Sequence, residues 1–557
     1  MQSLIEIFLI NLFSLIFLWG SGNLFHKLFL KSEEILVKQN IIDDVIKIFL
    51  GVFFISISLI FVNFFIPLSP IFNLILFLSI IIFSLKNLKT VFYKKFIFFL
   101  IITSVLSTLL LYKSNNFMPD AALYHLPFTK IINNEKIIFG LTNLHHRYGH
   151  ISIVQYLNAF LYNPIFGEKG IIIFPALISS IFINFLTLKI FSYKKFNITY
   201  FLCFLSLAFS ATYLDRYSNY GNDAVAFIFV ILSILFFTEY YYDKKNNSKF
   251  FLISIFTVFS FLIKSFLIIL LIIPLILILN KNFIKFFLSK TSFFLILTLF
   301  FWCIKTVINS GCIIYPVSKS CFDKFSWTNI EKAKYIEVSG EATAKAFQDL
   351  PKLNKNNLNE ISYRDFNKKF NWIRAWSKVH MLKIFEKMFP YFLFLTIYFS
   401  YIIFSSNVKK RTNFKNNYKL LNLFIITFFV LWFVKFPLFR FGVPFIFLIV
   451  STIFLSTISL EFENHKLLKI NKFIVCIFLL LILLINFNRI NNNFDNSNFP
   501  KIVKSGKSNY NKIYYNDNFF YNRAYHLCMY NTNLCTHLNT NMYLKIINNY
   551  KFFIPLN

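Results

Sequence analysis

The sequence predicts an all-α integral membrane protein with about fourteen transmembrane helices, on three observations. Hydrophobic residues make up 57% of the chain, 80 of them Phe, and charged residues only 15%, which excludes a water-soluble enzyme. Crossing a hydrocarbon core of roughly 30 Å takes about 20 apolar residues, and runs near that length recur from end to end. Lysines cluster in alternate short connectors, the asymmetry that orients membrane helices.

In order, the apolar segments cover 4–22, 47–66, 69–85, 96–112, 170–190, 197–213, 223–241, 250–263, 266–280, 291–308, 389–405, 420–437, 441–459 and 473–489. The opening MQSLIEIF lacks a basic n-region, so the first segment is expected to remain as a helix. The connectors KNLKTVFYKK, SYKKFN, DKKNNSK, KNFIKFFLSK and NVKKRTNFKNNYK are Lys-rich and are assigned to the cytoplasm. Alternation then puts both termini, the segment 113–169, the loop 309–388 and the tail 490–557 on the outer side. The chain divides into a transmembrane domain, 1–489, and a small mixed outer tail, 490–557. Its net charge of +33 serves insertion and contact with anionic lipid, with no nucleic acid implied.

Cys203, Cys303 and Cys476 fall inside apolar segments, as small core side chains do. The other four fall outside, where an oxidising compartment permits two local disulfides, Cys312–Cys321 and Cys528–Cys535. Of eight arginines, seven are placed outside: Arg147, Arg216, Arg364, Arg374, Arg440, Arg489 and Arg523. A guanidinium fork suits phosphate or carboxylate, so this bias points to an anion handled on the outer face. In the long outer loop TNIEKAKYIEVSGEATAKAFQDL reads as helix with a break at Ser339-Gly340, and Trp372 and Trp376 as interfacial belt residues. KIYYNDNFFYN in the tail is strand-like.

The segment MPDAALYHLPFTKIINNEKIIFGLTNLHHRYGH holds four of the nine histidines together with Asp120, Glu135 and Arg147. It reads as short helices lying along the outer membrane surface, with Asp120 as an N-cap of the first. A carboxylate, imidazoles and an arginine are thereby set where a lipid-borne phosphate lies.

An acidic residue just beyond a membrane helix, followed by interfacial helices, resembles the GT-C superfamily of polyprenyl-phosphate-dependent glycosyltransferases. The pattern D, YH, GL-N-LH-R is similar to a branch of large bacterial membrane proteins, as are INSGCIIYP and PLFRFGVP. The resemblance implies that Asp120 is a general base on the acceptor hydroxyl, with its pKa raised by the interface. Departing phosphate charge would be met by Arg147, His145, His146, Arg440 and Lys264. A divalent cation is the candidate cofactor; since Ala121 and Ala122 follow Asp120, a second acid would come from Glu168, Asp215 or Asp223.

The implied reaction moves a sugar from a polyprenyl-phosphate donor to an envelope glycan, lipid or protein on the periplasmic side of a bacterial inner membrane. An O-antigen-type ligase or polymerase and a lipid-linked glycan flippase are the alternatives. The ligase class places its cations in a late large loop, and a transporter places polar residues deep within several helices. The chain carries no glycine-rich phosphate loop, zinc signature or inverted repeat.

Overall fold

A computed structural model describes residues 2–31, 40–88, 94–114, 120–150, 152–213, 220–242, 247–279, 288–349, 362–368, 370–405, 417–456, 465–492, 510–516, 519–524, 528–530, 534–538 and 540–556. The chain is mostly helical, and each apolar segment contains a helix. Among the described residues eight helices are long and apolar enough to cross a membrane. The other apolar helices are 10–17 residues long, below about 27 Å at 1.5 Å per residue, so the count of full-length spans is eight where fourteen were expected.

Burial separates the centre of the bundle from its rim. The helices Phe174–Ser192 and Asp223–Tyr242 are almost enclosed, whereas His465–Asn492 leaves Leu480, Leu484 and Phe487 exposed. Apolar surface of that extent is at home against lipid. Gln2–Phe25 and Ile41–Asn63 cross backbone to backbone: a Cβ at Gly22 would sit 1.7 Å from the carbonyl oxygen of Lys47, so only glycine fits.

The helix Ile330–Ala344 of the long loop runs through Ser339 and Gly340, correcting the expected break; Gly340 faces open space, where nothing interrupts the turn. Trp372 and Trp376 are 1% and 6% exposed, packed against Phe433, and so belong to the core instead of an interfacial belt. In the tail, β1 (Tyr510–Asn516) pairs antiparallel with β2 (Phe519–Ala524), and β2 runs parallel to the short β3 (Cys535–Thr536). A second hairpin joins β4 (Met542–Ile547) to β5 (Tyr550–Pro555) through Asn548 and Asn549, whose φ of 48° and 63° suit the tight turn. Among the described residues every regular element that begins within the tail is a strand.

The tail lies on the segment that holds Asp120 and Arg147. Phe139 and Phe553 exchange backbone hydrogen bonds of 2.9 Å with β5 and the loop respectively, and the Tyr148 hydroxyl donates to the Cys535 carbonyl at 2.6 Å. Leu126–Asn134, expected to lie along the membrane surface, is instead largely buried, and Val154–Phe160 is buried along its whole length.

Candidate functional site

Four stretches far apart in sequence bring charge to one place. Asp120 stands before a π-helical turn, Ala121–His125, that continues into the helix Leu126–Asn134. Residues five apart on an α-helix point about 140° away from each other, and the wider π turn reduces that angle. His125 comes close enough to act on both Asp120 and Asp223. Asp223 opens the helix Asp223–Tyr242. Lys264 occupies extended backbone, φ −143° and ψ 118°, at the break between Asn247–Ile263 and the 3-10 turn Ser265–Leu271. Arg440 lies in the first turn of Phe439–Ser456, which Gly442 seats on Trp432; a Cβ there would meet the indole at 2.1 Å.

Arg440 is the hub. Its Nη1 donates to Asp120 Oδ2 at 2.8 Å, and its Nε lies 3.9 Å from Asp223 Oδ2. Lys264 donates to the other Asp223 oxygen and lies 4.0 Å from the ring centre of Phe441. Arg147, at the open edge with 40% of its side chain exposed, comes within 3.7 Å of Asp120 Oδ1 and over the Tyr124 ring. Three cations thus face two carboxylates, and the arrangement can receive an anion.

Burial alone would raise the Asp120 pKa, but the charge and hydrogen bond of Arg440, then Arg147 and His125, outweigh it and hold the carboxyl below its usual value. This corrects the raised pKa expected at the interface. Asp120 makes no side-chain capping hydrogen bond and has helical backbone angles itself, so the N-cap reading is also corrected. Burial pushes His125 down to about 4, against the pull of both carboxylates. Its Nδ1 contacts the Gln155 amide.

His145 stands apart from the phosphate role expected of it. It is fully buried, its Nδ1 accepts from the Arg147 N–H at 3.1 Å, and its Nε2 lies 3.3 Å from Nδ1 of His537 in the tail. With both ring nitrogens engaged it has none to offer a phosphate. His146 stacks on it, centroids 4.9 Å apart, and burial pushes its pKa to about 3. His537 is a partner of the site loop that could not be found from sequence; THL after Cys535 carries no spacing that joins it to a loop 392 residues earlier.

Two motif residues turn out to assemble the loop. Gly140 takes φ +66°, and Asn143 Nδ2 donates to the carbonyls of Trp327 and Phe553, at 2.9 and 2.8 Å. Lys332 of the long loop donates to the carbonyls of Thr142 and Asn143. The disulfides Cys312–Cys321 and Cys528–Cys535 lie in those same two partner segments. The arginines differ in what they bind, since Arg489 donates to the carbonyls of Leu109, Leu110 and Tyr112 at a helix end.

Of the second acids, Asp223 joins Asp120 through Arg440, whereas Glu168 acts on Lys130 and Tyr530. Asp215 lies outside the described residues, as do Arg216 and Arg411. The residues do not fit a divalent cation: guanidinium and ammonium groups already stand against both carboxylates. Among the described residues no three His, Cys, Asp or Glu side chains converge as metal ligands.

A family model, described as a domain of unknown function, DUF8201, matches residues 4–447. The chain belongs to this family. The DUF8201 match takes in Asp120, Arg147, Asp223, Lys264 and Arg440, and stops before the tail that supplies His537. No curated protein and no solved structure matches the chain.

Proposed function

We propose that the protein is a membrane glycosyltransferase that moves a sugar from a polyprenyl-phosphate donor to a glycan, lipid or protein of the cell envelope. In this reading all fourteen apolar helices cross a bacterial inner membrane, the shorter ones with local thinning, and the charged cluster faces the periplasm. The observation that carries it is Arg440 shared between Asp120 and Asp223, with Arg147 and Lys264 flanking.

The donor phosphate competes for these cations. As its oxygens draw Arg440 and Arg147 away, Asp120 loses what depresses its pKa and becomes a better base. The acceptor oxygen then bonds to the anomeric carbon, and its proton passes to Asp120. The bond from that carbon to the phosphate oxygen breaks, its electron pair staying on the phosphate. Arg440, Arg147 and Lys264 stabilise the charge left there.

Mass spectrometry of lipids that co-purify with the full chain tests this. Sugar-bearing polyprenyl phosphate should be enriched over the bulk membrane and depleted in Arg440→Lys, which keeps the charge and loses the fork. A lipid profile equal to the bulk in both proteins would overturn the reading.

A further inference from the structure

The helix Lys290–Ser310 carries Lys305 five residues from its C-terminal end. Lys305 is 1% exposed, and among the described residues it makes no hydrogen bond or ion pair. Its ammonium lies 3.9 Å from the ring centre of Trp302 and 5.7 Å from that of Tyr156. A lysine near the end of a membrane helix ordinarily extends toward the nearer boundary. Lys305 does the reverse: Trp302 is one turn closer to the middle of the helix. Aromatic faces offset part of the cost of burying an ammonium, yet an ionised group removed from water calls for an opposite charge.

The surroundings indicate where that charge comes from. One flank of the helix, with Phe293, Ile296 and Phe300, is exposed as lipid-facing residues are. On the other, Tyr156 belongs to the helix Val154–Phe160, whose Gln155 contacts His125 beside Asp120. Lys305 is therefore connected to the Arg440 cluster through one helix, and the lipid-borne phosphate of the donor reading is the anion nearest at hand.

We infer that Lys305 is a second anion subsite, binding a phosphate group of a lipid-borne ligand; this rests on the donor reading above. Nothing is transferred at Lys305, which supplies charge alone. The test is thermal unfolding of the full chain in nanodiscs, with polyprenyl phosphate or inorganic phosphate as probe. Without ligand, Lys305→Met should melt higher than wild type, because an unpaired buried charge is gone. With polyprenyl phosphate the wild type should gain stability, Lys305→Met should bind at least tenfold more weakly, and Lys305→Arg should retain binding.

A Lys305→Met protein that binds polyprenyl phosphate as tightly as wild type overturns the inference, and so does one that melts lower without ligand. Equal protection by inorganic phosphate overturns the assignment to a lipid. If Arg440→Lys loses binding while Lys305→Met does not, the donor reading stands and this one falls. A wild type indifferent to polyprenyl phosphate removes both.

Discussion

Replacing Asp120 by Asn separates charge from shape. The amide keeps an acceptor for Arg440 Nη1, now at 2.8 Å from Oδ2, while Arg440 and Arg147 lose the carboxylate they face. A hydrogen bond to a charged group contributes about 1.5–3 kcal/mol, and the one the Arg440 guanidinium keeps to the amide lies toward the lower end of that range. With the two side chains 26% and 33% exposed, screening brings the expected net loss near ~1 kcal/mol, a melting shift of no more than about 2–4 °C. Removing one negative charge should also tighten anion binding, by about fivefold to tenfold for ~1–1.4 kcal/mol of relieved repulsion. Turnover should nevertheless fall about a hundredfold to ten-thousandfold, the contribution of a positioned base. Both are measurable on one preparation: polyprenyl-phosphate affinity in nanodiscs, and release of polyprenyl phosphate from the native lipid-linked sugar pool. Full turnover, or binding lost together with turnover, would refute the reasoning.

Lowered imidazole pKa values make stability depend on pH. Burial brings His125 and His150 from 6.5 to about 4 and His146 to about 3, so the unfolded chain takes up protons first. Stability from these groups is complete above about pH 6.5 and is lost as pH falls from there toward 4; melting at pH 7.5 and 5 measures it, His146→Gln should flatten the slope, and a flat wild-type profile would contradict it. Gly140→Ala forces a side chain to φ +66°, costing about 1–2 kcal/mol, and sets its Cβ 2.2 Å from the Phe553 carbonyl. Limited proteolysis should then cleave the tail while the helices stay intact, and a protected tail would exclude it. Intact mass without reductant should fall short of the fully reduced chain by four hydrogens, two for each disulfide. Opening Cys528–Cys535 should cost about 2–3 kcal/mol.

The sequence made the helices legible because apolar runs near membrane length have few other uses, and the strand-like KIYYNDNFFYN became β1 and β2. It also singled out Asp120, Arg147, Asp223, Lys264 and Arg440, charged residues at the ends of apolar runs, which the fold gathers into one cluster. It was silent on which charges pair. Asp120 looked like a cap because Pro-Asp commonly starts a helix, and only the partners it meets across 320 residues decide otherwise. His145 misled for a related reason: an imidazole beside arginine reads as a phosphate ligand until a second imidazole from the tail takes its nitrogen. Buried Lys305 gave no sign of itself, since one lysine in an apolar run is as easily a snorkelling residue.

Asn143 ties together segments made at very different times. Its side-chain amide donates a hydrogen bond to the Phe553 carbonyl across 410 residues, and the His145–His537 and Tyr148–Cys535 contacts span 392 and 387. At about 5–20 residues per second, the ribosome needs some 20–80 s to travel between the two ends of that bond. Through that interval the loop bearing Asp120 and Arg147 waits at the membrane without its cover. A ribosome that stalls early leaves Asn143, His145 and Tyr148 without the partners that the tail brings them.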